Sequence, residues 1–465
     1  MNNPFFKIST SRKIVTLLGL FLGFILLLLD NQATVLALPV ATNEIGGLEI
    51  YSLSSILGGV GACVAMPVMG FIGARNPGKK NRIYLIGMVI CAIVCLINGM
   101  ATNMFAIVIP KLFLGIGCSV IYGLGYLVIY DLFEGKTLGT VLGIAATITS
   151  LAMVVSSIIM GFVTDTWGWR ACFYVQIPLY LLAGLLTFFG TRISSEEAAQ
   201  LKNSEGSIDG FGTFAVFLLI GGLLPAISLN ASYAPLGSMP SNLLLIAALV
   251  GLILLIVDVR QKRERAIVPM NVLKDKNTLC FTFNSLFNGC ATMAVMFFLP
   301  LYVMNVMGKS ATEAGLITTF SGVFGLFLGP FIGRIIANKG SARWTLIVSI
   351  VSNIILHILL IVLLGPSLPI IVIYMLMLLR SLTNVLQSLG QSTGVNIHIE
   401  PDKVPYANSL VQLMGNFGPN FAISLFTVIL MSGPIADNIN LAFIISLIFG
   451  AVSLPITLLI KKPVK

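Results

Sequence analysis

The stretch Leu26–Pro39, LLLLDNQATVLALP, decides how the rest of the chain is read. It lies inside an apolar run from Ile14 to Val40, longer than the roughly 20 residues a helix needs to cross a bilayer. Four leucines lead straight into Asp30, Asn31 and Gln32, and after Thr34 the run is apolar again up to Pro39. An aspartate at mid-span costs about 2.5–3.5 kcal/mol on insertion scales, so such a residue faces protein or water rather than lipid. Asp30 is thus a candidate proton- or cation-responsive group. The alternative is a structural carboxylate, hydrogen-bonded to neighbouring helices.

Composition carries this reading beyond the first helix. Of 465 residues, 57% are hydrophobic and 9% charged, with a mean hydropathy of +1.00; an ordinary soluble domain is about 25% charged. The whole chain therefore reads as a membrane protein. Its seven cysteines show no metal-ligand spacing and read as small packing residues, so no metal is expected. The sequence has no phosphate-binding GK[ST] loop, no zinc-like His/Cys cluster and no Gly-x-Ser-x-Gly elbow. Neither an enzyme nor a cofactor is expected, and without an ATP site energy has to come from an ion gradient. Lys7, Arg12 and Lys13 precede a hydrophobic run too long for a signal-peptide core, which predicts a retained first span.

Apolar stretches of spanning length recur at 14–39, 49–73, 83–101, 104–130, 138–164, 171–190, 209–229, 241–258, 278–306, 312–336, 344–364, 367–392, 406–430 and 438–460. They predict an all-α polytopic membrane protein of about 14 transmembrane helices with both termini cytoplasmic. The charges agree. Of the 27 Lys and Arg, only Arg170 and Lys309 fall in outer loops and only Lys111 and Arg380 within spans. The rest lie on the inner side, so the net charge of +10 marks topology and no nucleic-acid partner is expected. The polar loop Thr191–Asp209 and the basic loop Arg260–Asn277 divide the chain. They define an N-terminal six-helix bundle (1–195), a two-helix insert with its flanking loops (196–277) and a C-terminal six-helix bundle (278–465). The bundles echo one another: GFIGARNPGKKNR (Gly70–Arg82) matches GPFIGRIIANKGSAR (Gly329–Arg343), and each fourth span carries one basic residue, Lys111 or Arg380.

Those two cations lead to the candidate chemistry. Lys111, about two turns into its span, either snorkels outward or is a cation whose field changes when a nearby carboxylate takes up a proton. Arg380 is too deep to snorkel easily. With Asn384, Gln387 and Gln391 it forms one polar helix face; Asn408, Gln412 and Asn416 form a second, and Asn284, Asn288 and Thr292 a third. Such stripes line a substrate cavity at the interface of the two bundles, joined by Asn31 and Gln32, or they act as interhelical hydrogen bonds worth about 0.6 kcal/mol each. Tyr122, Tyr126 and Tyr130 are spaced to line a site for cationic molecules or to pack. Asp165 with Arg170 reads as an outer gate or structural pair, and Gly70, Arg75, Gly78, Lys79 and Arg334 as gating-loop residues on the inner side. Asp131 and Glu134 read as loop contacts at an inner helix end. His357, alone at mid-span, reads as hydrogen-bonded structure or a proton relay.

Four local motifs sharpen this. LDNQATVLALP (Leu29–Pro39), GFIGARNPGKK (Gly70–Lys80), IPKLFLGIG (Ile109–Gly117) and WGWRACFYVQIP (Trp167–Pro178), together with the six-two-six layout, resemble the fourteen-span drug:proton antiporter branch of the major facilitator superfamily. The resemblance covers nearly the whole chain. It implies a proton-coupled multidrug exporter working by alternating access in a bacterial inner membrane, a monomer whose partners are a small-molecule substrate, protons and the lipid bilayer. Asp30 and Lys111 would be the proton-coupling residues. The chain departs from the branch's pattern at three places: Ala74 stands where the basic loop carries Asp, Lys111 where the fourth span carries Arg, and Ser156-Ser157 where the fifth span carries Gly-Pro, although a Gly418-Pro419 pair occurs in the thirteenth. Two other readings therefore stay open: uptake, uniport or lipid-linked substrate movement on the same fold, and a membrane sensor or scaffold that transports nothing.

Overall fold

A computed structural model describes residues 8–75, 77–192, 209–231, 233–262, 274–339, 342–400 and 403–461; at a few helical positions, Gly70, Arg75 and Arg334 among them, only the backbone is described. Helical runs follow one another in chain order. They are α1 (Thr10–Ile45), α2 (Leu53–Arg75), α3 (Lys80–Gly99), α4 (Phe105–Leu132), α5 (Gly135–Trp167), α6 (Trp169–Gly190), α7 (Gly210–Ser228), α8 (Met239–Lys262), α9 (Lys276–Asn305), α10 (Ala311–Lys339), α11 (Arg343–Leu363), α12 (Ile370–His398), α13 (Val404–Met431) and α14 (Ile435–Leu458). Among the described residues, 12 helices are long and apolar enough to cross a membrane. The other two, α2 and α10, are helical over 23 and 29 residues and include positions whose side chains lie outside the description. The fold is all-α and polytopic with 14 helical runs, as expected, 12 of which meet that criterion among the described residues.

Hydrocarbon offers the backbone no hydrogen-bond partner, so a chain this apolar satisfies its N–H and C=O groups within helices. The ends need other devices. Asp209 caps α7 by accepting from the Gly212 amide at 2.9 Å, and Asp275 caps α9 by accepting from the Thr278 amide at 2.7 Å. Between α5 and α6 the chain reverses on Gly168, whose φ of 81° a side chain would resist.

Helices α1–α6 form one compact unit and α7–α14 a second. In the first, α2 packs on α4, α3 on α4 and α6, and α1 on α5 and α6. In the second, α10 packs on α12, α11 on α12 and α14, and α9 on α13 and α14. The neighbour pattern is thus the same, helix for helix, which is an internal repeat of six helices. The α7–α8 hairpin packs on itself and, through α7, on α13.

The repeat reaches into the first helix of each set. α1 is broken by a π turn at Ala33–Ala37 and α9 by one at Ala294–Phe298, and each turn runs directly into a Leu-Pro pair, Leu38-Pro39 or Leu299-Pro300. Proline has no amide for the i→i−4 ladder. The wide turn just before it takes up the misfit, and turns of this kind recur at functional sites.

Candidate functional site: a buried ion pair and a buried lone arginine

Asp30 sits one turn before the π turn of α1, buried at 7% exposure. The Thr34 hydroxyl donates to the Asp30 carbonyl at 3.0 Å, tying the carboxylate's own turn to the irregular segment. Facing it is Lys111 of α4, 2% exposed. Close backbone contact between α2 and α4 holds Lys111 in place: a Cβ on Gly115 would run into the Gly58 carbonyl, and one on Gly61 into that of Leu112. Small residues allow such approach, the usual device of helix packing in lipid. Lys111 Nζ donates to Asp30 Oδ1 at 2.7 Å, to Oδ2 at 2.9 Å and to Thr34 Oγ1 at 2.9 Å. The ring of Phe173, on α6, lies 5.7 Å from the same ammonium. All three ammonium protons are accounted for, so Lys111 does not snorkel.

This arrangement has two states by chemistry alone. With Asp30 charged, the pair neutralises itself away from water. With Asp30 protonated, Lys111 keeps its charge but loses its counter-charge, and a buried ion without a partner costs about 3–5 kcal/mol.

The remaining candidates of the first unit separate. Gln32 is buried and its Oε1 has no hydrogen-bond partner among the described residues, whereas Asn31 is exposed. Tyr122 and Tyr126 pack on Phe24 of α1, with ring centroids 6.0 and 5.2 Å apart, while Tyr130 stands exposed. Gly78 and Lys79 form the turn between α2 and α3, Lys79 pointing outward. Gly70 and Arg75 lie on α2, where nothing beyond the backbone is described. Arg170 pairs with Glu44, Nη1 to Oε1 at 2.5 Å, and stacks 4.2 Å from the Trp169 ring, whose Nε1 donates to Glu44 Oε2 at 2.7 Å. Asp165 is exposed near the end of α5. Sequence reasoning missed Glu44, since nothing local links it to a residue 126 positions on. It also left Asp131 as a loop contact, whereas Asp131 holds buried Lys80 at 2.6 Å across α3 and α4.

In the second unit the amides of α12 bond to neighbouring helices. Gln387 donates to Asn284 Oδ1 at 2.7 Å, Asn284 donates to Thr457 Oγ1 at 2.7 Å, Gln391 donates to the Phe281 carbonyl at 3.3 Å, and Asn384 to that of Ser321 at 3.3 Å. Asn288 and Asn408 are half-buried, Gln412 and Asn416 exposed, and the Arg334 side chain lies outside the description. Thr292 bonds back to the Gly289 carbonyl at 3.0 Å. Arg380 differs from its stripe: it is 2% exposed, and its Nε and Nη1 have no partner among the described residues. His357 contacts the Asn353 carbonyl at 2.8 Å and Ser446 Oγ at 3.0 Å. Among the described residues no three His, Cys, Asp or Glu side chains converge as a metal site.

In comparison with known proteins, the sequence profile of the Major Facilitator Superfamily matches residues 20–274 and 281–465. The chain is 26% identical over 344 residues to multidrug resistance protein 3 of Bacillus subtilis, covering 74% of this chain and 65% of that one. It is 25% identical over 309 residues to the multidrug transporter protein MdtP of the same organism, covering 66% and 56%. The match thus spans less than two thirds of each relative. In fold it is similar to a peptide transporter of the POT family crystallised with alafosfalin, with a TM-score of 0.67 at 14% identity over 96% of this chain and 95% of that one. The repeated helix sets, the apolar spans and the matched profile converge: this chain belongs to the Major Facilitator Superfamily, as a multi-pass membrane protein.

Proposed function

We propose that this chain is a proton-coupled exporter of hydrophobic or cationic small molecules, of the fourteen-span drug:proton antiporter type, and that Asp30 and Lys111 are its coupling residues. The observation that carries the proposal is the buried pair itself: a carboxylate and an ammonium 2.7 Å apart, at a π turn, each nearly closed to solvent. Proton uptake by Asp30 cancels the attraction and frees Lys111; proton loss restores it. A cationic substrate competes with Lys111 for the same carboxylate, so substrate and proton exclude one another there. One charge moving through 100 mV supplies about 2.3 kcal/mol, comparable with the cost of separating the pair. The relatives named for multidrug resistance and multidrug transport support the substrate class.

The test uses everted vesicles with a pH-sensitive dye. Substrate addition should release protons from a pre-acidified lumen, and Asp30→Asn should abolish that release while the protein still inserts. Normal substrate-driven proton release by Asp30→Asn would remove Asp30 from the coupling step.

A second reading, substrate movement without proton exchange, is favoured by α5. It runs unbroken from Gly135 to Trp167, with Ser157 donating to the Val154 carbonyl at 3.0 Å where antiporters of the resembling branch carry Gly-Pro. Transport by the wild-type chain that is indifferent to ΔpH would select it.

A further inference from the structure

The first unit neutralises buried Lys111 with its own carboxylate; among the described residues, buried Arg380 of the second has no carboxylate paired with it. Counting from the two π turns, the place of Asp30 in α1 is taken in α9 by Ala291, since Ala33 and Ala294 open the equivalent turns. The partner of Asp30 is a cation on the fourth helix of its set, and Arg380 is the cation on the fourth helix of the other. The register of α9 against α12 brings Ala291 and Arg380 to the same level. Gln387 meets Asn284 and Gln391 meets the Phe281 carbonyl, so the helices run antiparallel, and about two more turns along both leads from Asn284 to Ala291 and from Gln387 to Arg380. The Ala291 carbonyl accepts from Ser446 Oγ at 2.6 Å, and that hydroxyl contacts His357 Nε2 at 3.0 Å. The groups that meet there, a hydroxyl and an imidazole, are neutral or basic.

Among the described residues, no carboxylate of α9–α14 is paired with Arg380. Between Lys276 and Leu458 the sequence has only Glu313, Glu400, Asp402 and Asp437. Glu313 is in the first turn of α10 and pairs with Lys309, Glu400 pairs with Lys403, Asp437 is in the first turn of α14, and Asp402 lies outside the described residues, between α12 and α13. A guanidinium stays charged under nearly all conditions, and leaving its buried Nε and Nη1 without a partner among the described residues is unfavourable. We propose that Arg380 anchors an anion site in the second unit. The site takes a small monovalent anion, chloride or the carboxylate of a transported compound, at the position where the first unit uses Asp30. That the anion belongs to a transported compound rests on the transporter assignment. Anion binding itself needs no proton gradient, so its failure and that of Asp30 coupling are separately observable.

The test is thermal unfolding of the full chain in detergent. Chloride is compared with sulfate of equal ionic strength, and benzoate with neutral benzamide. An anion held at Arg380 should raise the Tm of the wild type by about 2–4 °C at saturation, and Arg380→Gln should lose that response. Ala291→Asp, which supplies an internal carboxylate, should lose it too, with a higher Tm in the absence of anion. A response to chloride that benzoate does not displace assigns the site to the free ion; a benzoate response not given by benzamide assigns it to a carboxylate-bearing substrate. No anion response in the wild type, or an equal response in Arg380→Gln and Ala291→Asp, overturns the proposal. Should Arg380→Gln fail to fold, Arg380→Lys is read in its place, with a weakened response expected and an unchanged one counting against the site.

Discussion

Lys111 gives two of its three ammonium protons to the two carboxylate oxygens of Asp30, at 2.7 and 2.9 Å, and the third to Thr34. The side chains come from positions 81 apart in sequence, yet they meet directly and all three ammonium protons are used. The pair is thus matched in charge. That makes it a poor source of net stability, because its desolvation offsets most of its attraction, but a sensitive one, because either half alone is a buried charge.

The first prediction follows from that asymmetry. Lys111→Met and Asp30→Ala should each destabilise the protein by about 3–5 kcal/mol, while the double variant should recover most of the loss. Thermal unfolding of the four proteins in one detergent closes the cycle. Additive single effects would mean that the two charges do not depend on each other.

Thr34 tests how much of the site is hydrogen bonding. Thr34→Val keeps the shape and removes the acceptor of the third Lys111 proton, so it should cost about 1–3 kcal/mol and leave proton exchange in vesicles intact. A loss as large as that of Lys111→Met would place the anchor of the ammonium at Thr34 rather than at Asp30.

Much of this was legible in the sequence. Helix positions followed from apolar length, because lipid leaves the backbone little alternative to a helix. Asp30, Lys111 and Arg380 were each conspicuous as charges inside apolar runs. The partners of other charges were not. Glu44 belongs to Arg170 and Asp131 to Lys80 through packing that no local spacing encodes. The π turns were equally hidden, since one extra residue in a turn leaves no compositional mark. The match of ATVLALP (Ala33–Pro39) with AVMFFLP (Ala294–Pro300) was open to view once the two first helices were laid side by side, but the basic loops are the more conspicuous repeat. The amides of α9 and α12, predicted as a cavity lining or as glue, bond largely to neighbouring helices; Gln412 and Asn416 of α13 remain exposed.

Backbone contact between α2 and α4 makes the glycines there unequal to others. Gly115→Ala would press a methyl group against the Gly58 carbonyl, so α4 must shift and carry Lys111 with it; the yield of monodisperse protein should fall sharply. Gly143→Ala, whose Cβ would meet nothing within 4 Å, should be neutral or stabilising by up to about 1 kcal/mol. Equal yields from the two variants would show that the α2–α4 contact is loose enough to absorb a methyl group.

The Lys80–Asp131 pair predicts unequal effects from its two halves. Lys80 is 7% exposed and Asp131 21%, at an N–O distance of 2.6 Å. Removing the acid leaves the more buried charge stranded, whereas removing the lysine leaves a carboxylate that still reaches water. Asp131→Asn should therefore cost about 1–3 kcal/mol more than Lys80→Gln, and added salt should narrow the gap only slightly, because screening acts weakly on buried charge. Thermal unfolding of both variants at low and high salt measures this. Equal losses that vanish together in salt would mean that the pair is solvated and holds α3 to α4 no more than an ordinary surface contact does.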